Sequence, residues 1–236
     1  MFDEGVTLAA TTGFRLWEAS DLFCGLLDGD LGDLVDGKRV LELGSGTGLV
    51  GCCAAAAGGH VVLTDVKSIL DQSTARSLAH NAKAAGDATV VPSPWGDGDI
   101  GMRRIGRGSA ATSELDWGKA VKEQCRVFDF MTAEVILACD CIWLVEMLDL
   151  ISGVLETLLS APHRPHAYIS YEERGKENEP EHEVNKTFTT LKMVLGCFEE
   201  NGLTHEIWTE RQEKRLDAYG GEERMARVLI LKVWKK

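Results

Sequence analysis

From Leu41 to Gly48 the chain runs Leu-Glu-Leu-Gly-Ser-Gly-Thr-Gly, and an apolar run ends at Asp65, about twenty residues after the turn. Without Cβ atoms, Gly44, Gly46 and Gly48 let the backbone approach a ligand closely and take dihedrals other residues avoid. The small-residue helix expected next, Thr47 to Ala57, offers free N–H donors and a partial positive field, suited to a carboxylate or a phosphate. Asp65 stands where an acid holds ribose hydroxyls. A tight strand-to-helix turn with no ligand is the bland alternative.

Two residues choose between ligands. A dinucleotide turn needs G-x-G-x-x-G, and Leu49 occupies the third glycine position. Glu42, two residues before Gly44, repels phosphate and attracts an ammonium group. S-adenosylmethionine has an amine, a sulfonium and a ribose but no phosphate, so it is favoured over a dinucleotide.

A second cluster is Asp140-Cys141-Ile142-Trp143, directly after the apolar run Val135 to Cys139. In open parallel sheets, ligands bind beyond the carboxyl ends of strands. Asp140 is therefore a candidate for the reacting centre, although capping the helix near Leu144 is a compatible role. Upstream, Trp17 lies in Thr12 to Ala19, just before the first strand. It is either a core residue or part of a lid over the cofactor.

These residues need a frame. Apolar runs predict strands at Lys38–Leu43, His60–Thr64, Thr89–Val91, Glu134–Cys139 and His166–Ser170. Helical patterns separate them over 47–57, 69–84 and 144–159. Phe188, Leu191, Leu195 and Phe198 predict an amphipathic helix over Glu183–Glu200, closed by Asn201-Gly202. Strands at Leu203–Thr209 and Arg227–Trp234 follow, joined by a charged loop over 210–224. The alternation predicts an α/β fold with a mostly parallel sheet covered on both faces and a C-terminal antiparallel hairpin. Pro92–Thr112, rich in glycine, is expected to be a surface insertion. The whole chain, 1–236, is expected to be one domain, with 1–36 as the N-terminal lid segment.

Bulk properties narrow the field. The 236 residues are 44% hydrophobic with a net charge of −12, which argues against disorder and against a general nucleic-acid binder. No apolar run reaches membrane-spanning length, and the acidic start does not resemble a secretory signal. Seven cysteines without a C-x-x-C pair predict buried thiols in a reducing compartment, with no zinc or redox site. No metal-ligand cluster is visible.

Together, Trp17, Glu42 to Gly48, Asp65, Leu115-Asp116-Trp117-Gly118, Asp140 to Trp143 and Ser170-Tyr171-Glu172-Glu173-Arg174 give a specific likeness. The chain resembles the seven-β-strand protein-lysine methyltransferases of the methyltransferase-like twenty-one type, over nearly its whole length. The resemblance implies a Rossmann-like seven-stranded fold and S-adenosylmethionine as cofactor. Trp17 would line the cofactor pocket, Gly44, Ser45 and Gly46 would meet the methionine part, and Asp65 the ribose. Glu42, by its charge beside the turn, is expected to be a further cofactor contact. Ala138 would approach through its backbone. Asp140 and Trp143 would frame the target amine, with tryptophan replacing the family's usual tyrosine. One tryptophan-glycine pair should stack near the adenine, and both Trp95 and Trp117 qualify.

The implied activity is methyl transfer to a lysine amine of a protein such as a chaperone, an ATPase or a translation factor. A monomer in the cytoplasm, and also the nucleus, is expected, with no membrane or nucleic-acid partner. An acidic rim of Glu172, Glu173, the 175–183 segment and the 210–224 loop would face a basic substrate. Two alternatives stay open: a small-molecule N-methyltransferase acting on a nicotinamide-type amine, and a non-catalytic cofactor- or partner-binding domain.

Overall fold

The computed structural model describes residues 13–14, 19–86, 89–96, 101–172, 188–216 and 223–236. Two short helices, α1 (Ala19–Leu27) and α2 (Asp30–Val35), lead into strand β1 (Arg39–Leu43). Helix α3 (Leu49–Ala56) and strand β2 (His60–Asp65) follow. A helical turn α4 (Lys67–Ile69), a π-turn (Leu70–Thr74) and helix α5 (Ala75–Ala84) form one continuous stretch. Strands β3 (Val90–Pro92), β4 (Gly101–Ile105) and β5 (Gly108–Glu114) come next. After the short helix α6 (Val121–Gln124) come strand β6 (Val135–Cys139), helix α7 (Val145–Leu159) and strand β7 (His166–Glu172). Helix α8 (Leu191–Glu200) and the hairpin β8 (Leu203–Leu216) and β9 (Glu223–Lys235) end the chain.

One sheet of nine strands runs in the order β3-β4-β5-β2-β1-β6-β7-β9-β8. The five strands β5, β2, β1, β6 and β7 are parallel, and the other pairings are antiparallel. The expected fold class is therefore present, with nine strands among the described residues rather than seven. Period-2 alternation assigns side chains to faces. Val40, Val61 and Leu63 join the core under α1, α2, α3 and α5, whereas Leu41, Leu43 and Val62 join the core under α7 and α8. Glu42 alternates with Leu41 and Leu43, so it points toward α3, beneath the glycine turn.

Three expectations are corrected. The expected surface insertion Pro92–Thr112 contributes to the sheet: β4 pairs with β5, and β5 pairs in parallel with β2 from His60↔Ser109 to Asp65↔Glu114, inside the sheet; residues 97–100 lie outside the described residues. The strand at Val90–Pro92 pairs only with β4, at the edge. The helix expected from Glu183 begins at Leu191, where the Thr190 side chain accepts the Met193 N–H as N-cap; residues 183–187 lie outside the described residues. The hairpin arms run far into the expected loop, to Leu216 and from Glu223. Among the described residues no helix is long and apolar enough to cross a membrane.

Candidate active site

β1 has β2 on one side and β6 on the other, so the chain leaves it in opposite directions and a crevice opens at its carboxyl end. A cavity of about 260 Å³ lies there. Its lining includes Glu42, Gly44, Ser45, Gly46, Asp65, Trp117, Asp140 and Trp143. Eight residues singled out from the sequence, spread over a hundred positions, thus share one cavity.

The glycine turn is held by bonds its own geometry demands. Gly44, Gly46 and Gly48 have φ of 62°, 52° and 77°, which favours glycine. A Cβ on Gly44 would lie 2.8 Å from Cys141 Sγ and 3.3 Å from the Trp117 ring, so the turn lies directly against both side chains. The Gly46 N–H donates to Asp65 Oδ2 at 2.9 Å, and the Gly46 carbonyl accepts from Thr74 Oγ1 at 2.7 Å. Thr74 ends the π-turn, and its hydroxyl reaches the glycine loop. Such π-turns are frequent at functional sites.

Glu42 is 1% exposed. The Gly51 N–H donates to its Oε1 at 3.1 Å, while Oε2 has no hydrogen-bond partner among the described residues. Burial pushes its carboxyl up to about 8. Asp65 is also raised by burial, offset in part by the N–H bonds from Gly46 and Val66. A buried acid with an unused oxygen fits a ligand that brings a cation and no phosphate. This donor set suits the amine and ribose of S-adenosylmethionine.

On the far side of the cavity, Asp140 is 4% exposed with φ of 54°. Its N–H donates to the Ser170 carbonyl at 3.2 Å and to Ser170 Oγ at 2.9 Å, which holds the left-handed conformation. Cys141 Sγ donates to the Leu43 carbonyl at 3.2 Å, stitching this loop to β1. Burial pushes the Cys139 thiol up to about 12 and holds the Cys141 thiol well above its ordinary value, so neither thiol is a ready nucleophile. All seven cysteines are free.

Two sequence candidates lie elsewhere. Trp95 is 2% exposed in the core, donates from Nε1 to the His60 carbonyl at 2.9 Å, and meets Phe128 edge-on at 6.3 Å. His60 begins β2 and Asp65 ends it, so Trp95 sits roughly 17 Å of strand away from the cavity. Trp117 follows β5 and lines the cavity. Ala138 is fully buried in β6, and Cys139 beside it lines the cavity instead. Trp17, Glu173 and Arg174 lie outside the described residues. Sequence reasoning missed Thr74, Ser20, Met147 and Leu150. The last two look like ordinary core positions of an amphipathic helix, and only the sheet topology turns them toward the cavity. Among the described residues no group of three or more His, Cys, Asp or Glu could hold a metal.

A family model described as lysine methyltransferase matches residues 6–100 and 99–192. EEF1A lysine methyltransferase 3 of Xenopus tropicalis is 36% identical over 81 residues, 34% of this chain and 35% of that one. Protein N-lysine methyltransferase METTL21A of Danio rerio is 32% identical over 145 residues, 61% of this chain and 55% of that one. The chain thus spans between about a third and about half the length of the curated relatives it matches. In fold it is similar to the magnesium protoporphyrin IX methyltransferase of Synechocystis with bound SAH, at TM-score 0.53 and 12% identity. That match covers 98% of this chain and 87% of that one.

Proposed function

Because the chain belongs to the lysine methyltransferase family, we propose that it transfers the methyl group of S-adenosylmethionine to a lysine side-chain amine of a protein. One observation carries this reading: a single cavity is lined by a cation-accepting end, Glu42 with the glycine turn, and by Asp140 and Trp143.

In this reading Glu42 receives the ammonium group, Asp65 the ribose hydroxyls, and the Trp117 ring the flat base. When bound, the cofactor supplies an electrophilic methyl group on a sulfonium. Trp143 walls the acceptor side and attracts a cationic side chain. A lysine attacks only as the neutral amine, and its ordinary pKa is about 10.4. Burial between aromatic and apolar walls lowers that value. Asp140 accepts a hydrogen bond from the amine and aims its lone pair, and the proton leaves to water. Most of the acceleration then comes from alignment.

The test uses labelled S-adenosylmethionine with the protein and a cell extract, followed by mass spectrometry of modified residues. Two relatives bear the name EEF1A lysine methyltransferase 3, so EEF1A is the first acceptor to assay. Label on protein lysine is the expected result. Label confined to small molecules would overturn the reading. The reading also carries a monomer, by sedimentation, and a cytoplasmic and nuclear location, by fractionation.

A further inference from the structure

The loop that carries Asp140 and Trp143 is gripped from outside the cavity. Thr189, 1% exposed, donates its hydroxyl to the Ile142 carbonyl at 2.5 Å and its N–H to the Trp143 carbonyl at 3.0 Å. Its own carbonyl accepts from the Tyr171 hydroxyl at 2.8 Å. Phe188 and Leu144 form an antiparallel bridge, and the Phe188 ring lies 5.9 Å from the Trp143 ring at 33°. One residue therefore satisfies two successive carbonyls of the acceptor-side loop and is itself anchored to β7.

This arrangement does more than close a fold. The strand-to-helix loop must place an acid at φ of 54° and an aromatic wall three residues later. Asp140 is fixed at one end by Ser170. Ile142 and Trp143 are fixed at the other end by Thr189. The Cys141 thiol, between them, reaches the Leu43 carbonyl at the end of β1 and the Gly44 carbonyl at 3.7 Å. Freeing the Ile142 carbonyl would let the wall tilt while the cofactor end, built on β1 and β2, keeps its bonds.

We propose that Thr189 is a positioning residue for methyl transfer: it sets the Trp143 wall and so governs turnover without contributing to cofactor binding. The proposal rests on the function argued above. Its consequences are separable, because the hydrogen bonds of Thr189 go to Ile142, Trp143 and Tyr171, and none goes to Glu42, Gly44 to Gly46, Asp65 or Trp117 among the described residues.

Three variants test it. Thr189→Val keeps the shape and removes the hydroxyl donor, Thr189→Ser keeps the donor, and Tyr171→Phe removes the phenol that anchors Thr189. Affinity for S-adenosylhomocysteine is measured by calorimetry. Methyl transfer is measured with the acceptor protein found in the labelling experiment. Trp143 is followed by acrylamide quenching, taken as the difference between each chain and its Trp143→Phe counterpart.

Thr189→Val is expected to lose about tenfold in kcat, because the freed Ile142 carbonyl lets Trp143 leave the alignment that transfer needs. Its affinity for S-adenosylhomocysteine stays within about twofold, and Trp143 becomes easier to quench. Thr189→Ser restores the wild-type values, and Tyr171→Phe gives a smaller loss in the same direction. Wild-type turnover and quenching in a folded Thr189→Val chain would overturn the proposal, as would parallel losses of turnover and cofactor affinity. If Thr189→Val does not fold, wild-type turnover and quenching in Tyr171→Phe overturn it. If the wild-type protein methylates no lysine, the functional reading falls, while unchanged quenching in the variants separately refutes the hold of Thr189 on Trp143.

Discussion

The Gly51 N–H bonds Glu42 Oε1, and a Cβ at position 51 would come within 2.4 Å of Glu42 Oε2. The buried acid and the bare helix face are two parts of one device. The carboxylate can sit under the glycine turn only because α3 leaves it space, and Leu63 at 2.7 Å closes the alternatives. Gly51→Ala is therefore expected to destabilise the protein by about 1–3 kcal/mol, the usual range for overpacking, and to weaken S-adenosylhomocysteine binding. Thermal melting and calorimetry read the two effects. An unchanged melting temperature would show that the carboxylate is free to move.

The same acid predicts a proton linkage. Burial raises the Glu42 carboxyl to about 8 from an ordinary 4.5, so the ligand-free protein holds this proton at pH 7 where the unfolded chain has released it. Stability from this group is complete below about pH 4.5 and falls as pH rises toward 8. Glu42→Gln should gain stability relative to wild type over that window, by up to a few kcal/mol. A cationic ligand favours the carboxylate, so binding of S-adenosylhomocysteine at pH 7 should release part of a proton. Calorimetry in buffers of different ionisation heat measures the release, which vanishes in Glu42→Gln. Buffer-independent heats for the wild type would contradict it.

The two tryptophans give opposite expectations. Trp95→Ala removes a fully packed core ring and its bond to His60, and should cost roughly 3–5 kcal/mol, lowering the melting temperature by several degrees. Cofactor affinity of the folded fraction should hold. Trp117→Ala should leave stability within about 1 kcal/mol and weaken S-adenosylhomocysteine about tenfold, the loss of one ring contact. The reverse pattern would return Trp95 to the site.

How far the sequence carried can be traced to particular residues. Strand β1, the glycine turn and β2 are legible because long apolar runs end at residues with special backbone or charge. β5 is not, since Gly108-Ser109-Ala110-Ala111-Thr112-Ser113-Glu114 has neither β-branched apolar residues in number nor a clear period. Its small residues answer a packing demand: a Cβ on Gly108 would lie 2.1 Å from the Gly59 carbonyl oxygen. Glycine there signals close backbone approach, which resembles a loop signal in one dimension. That ambiguity kept both Trp95 and Trp117 in play, and the parallel pairing of β5 with β2 separates them. Phe188 continued a helical period by coincidence, whereas its backbone bridges to Leu144. The hairpin outran its apolar stretch because charged pairs such as Arg227 and Glu210, 2.8 Å apart, occupy exposed ladder positions.

Asp140 allows the sharpest separation of structure from chemistry. Its φ of 54° is tolerated by asparagine far better than by β-branched residues, and its bonds to Ser170 use the backbone N–H. Asp140→Asn should therefore fold, with a melting temperature within a few degrees of wild type and unchanged affinity for S-adenosylhomocysteine. It keeps an acceptor oxygen but loses the charge that strengthens a hydrogen bond from an amine. Methyl transfer should fall by about tenfold or more, or ~1.4 kcal/mol in the barrier. Asp140→Val, strained in the left-handed region, should lose about 1–2 kcal/mol of stability as well. Single-turnover measurement with saturating cofactor isolates the transfer step. Wild-type turnover in Asp140→Asn would reduce this residue to a backbone role, and the orientation of the amine would then have to come from Trp143 and the apolar wall of Met147 and Leu150.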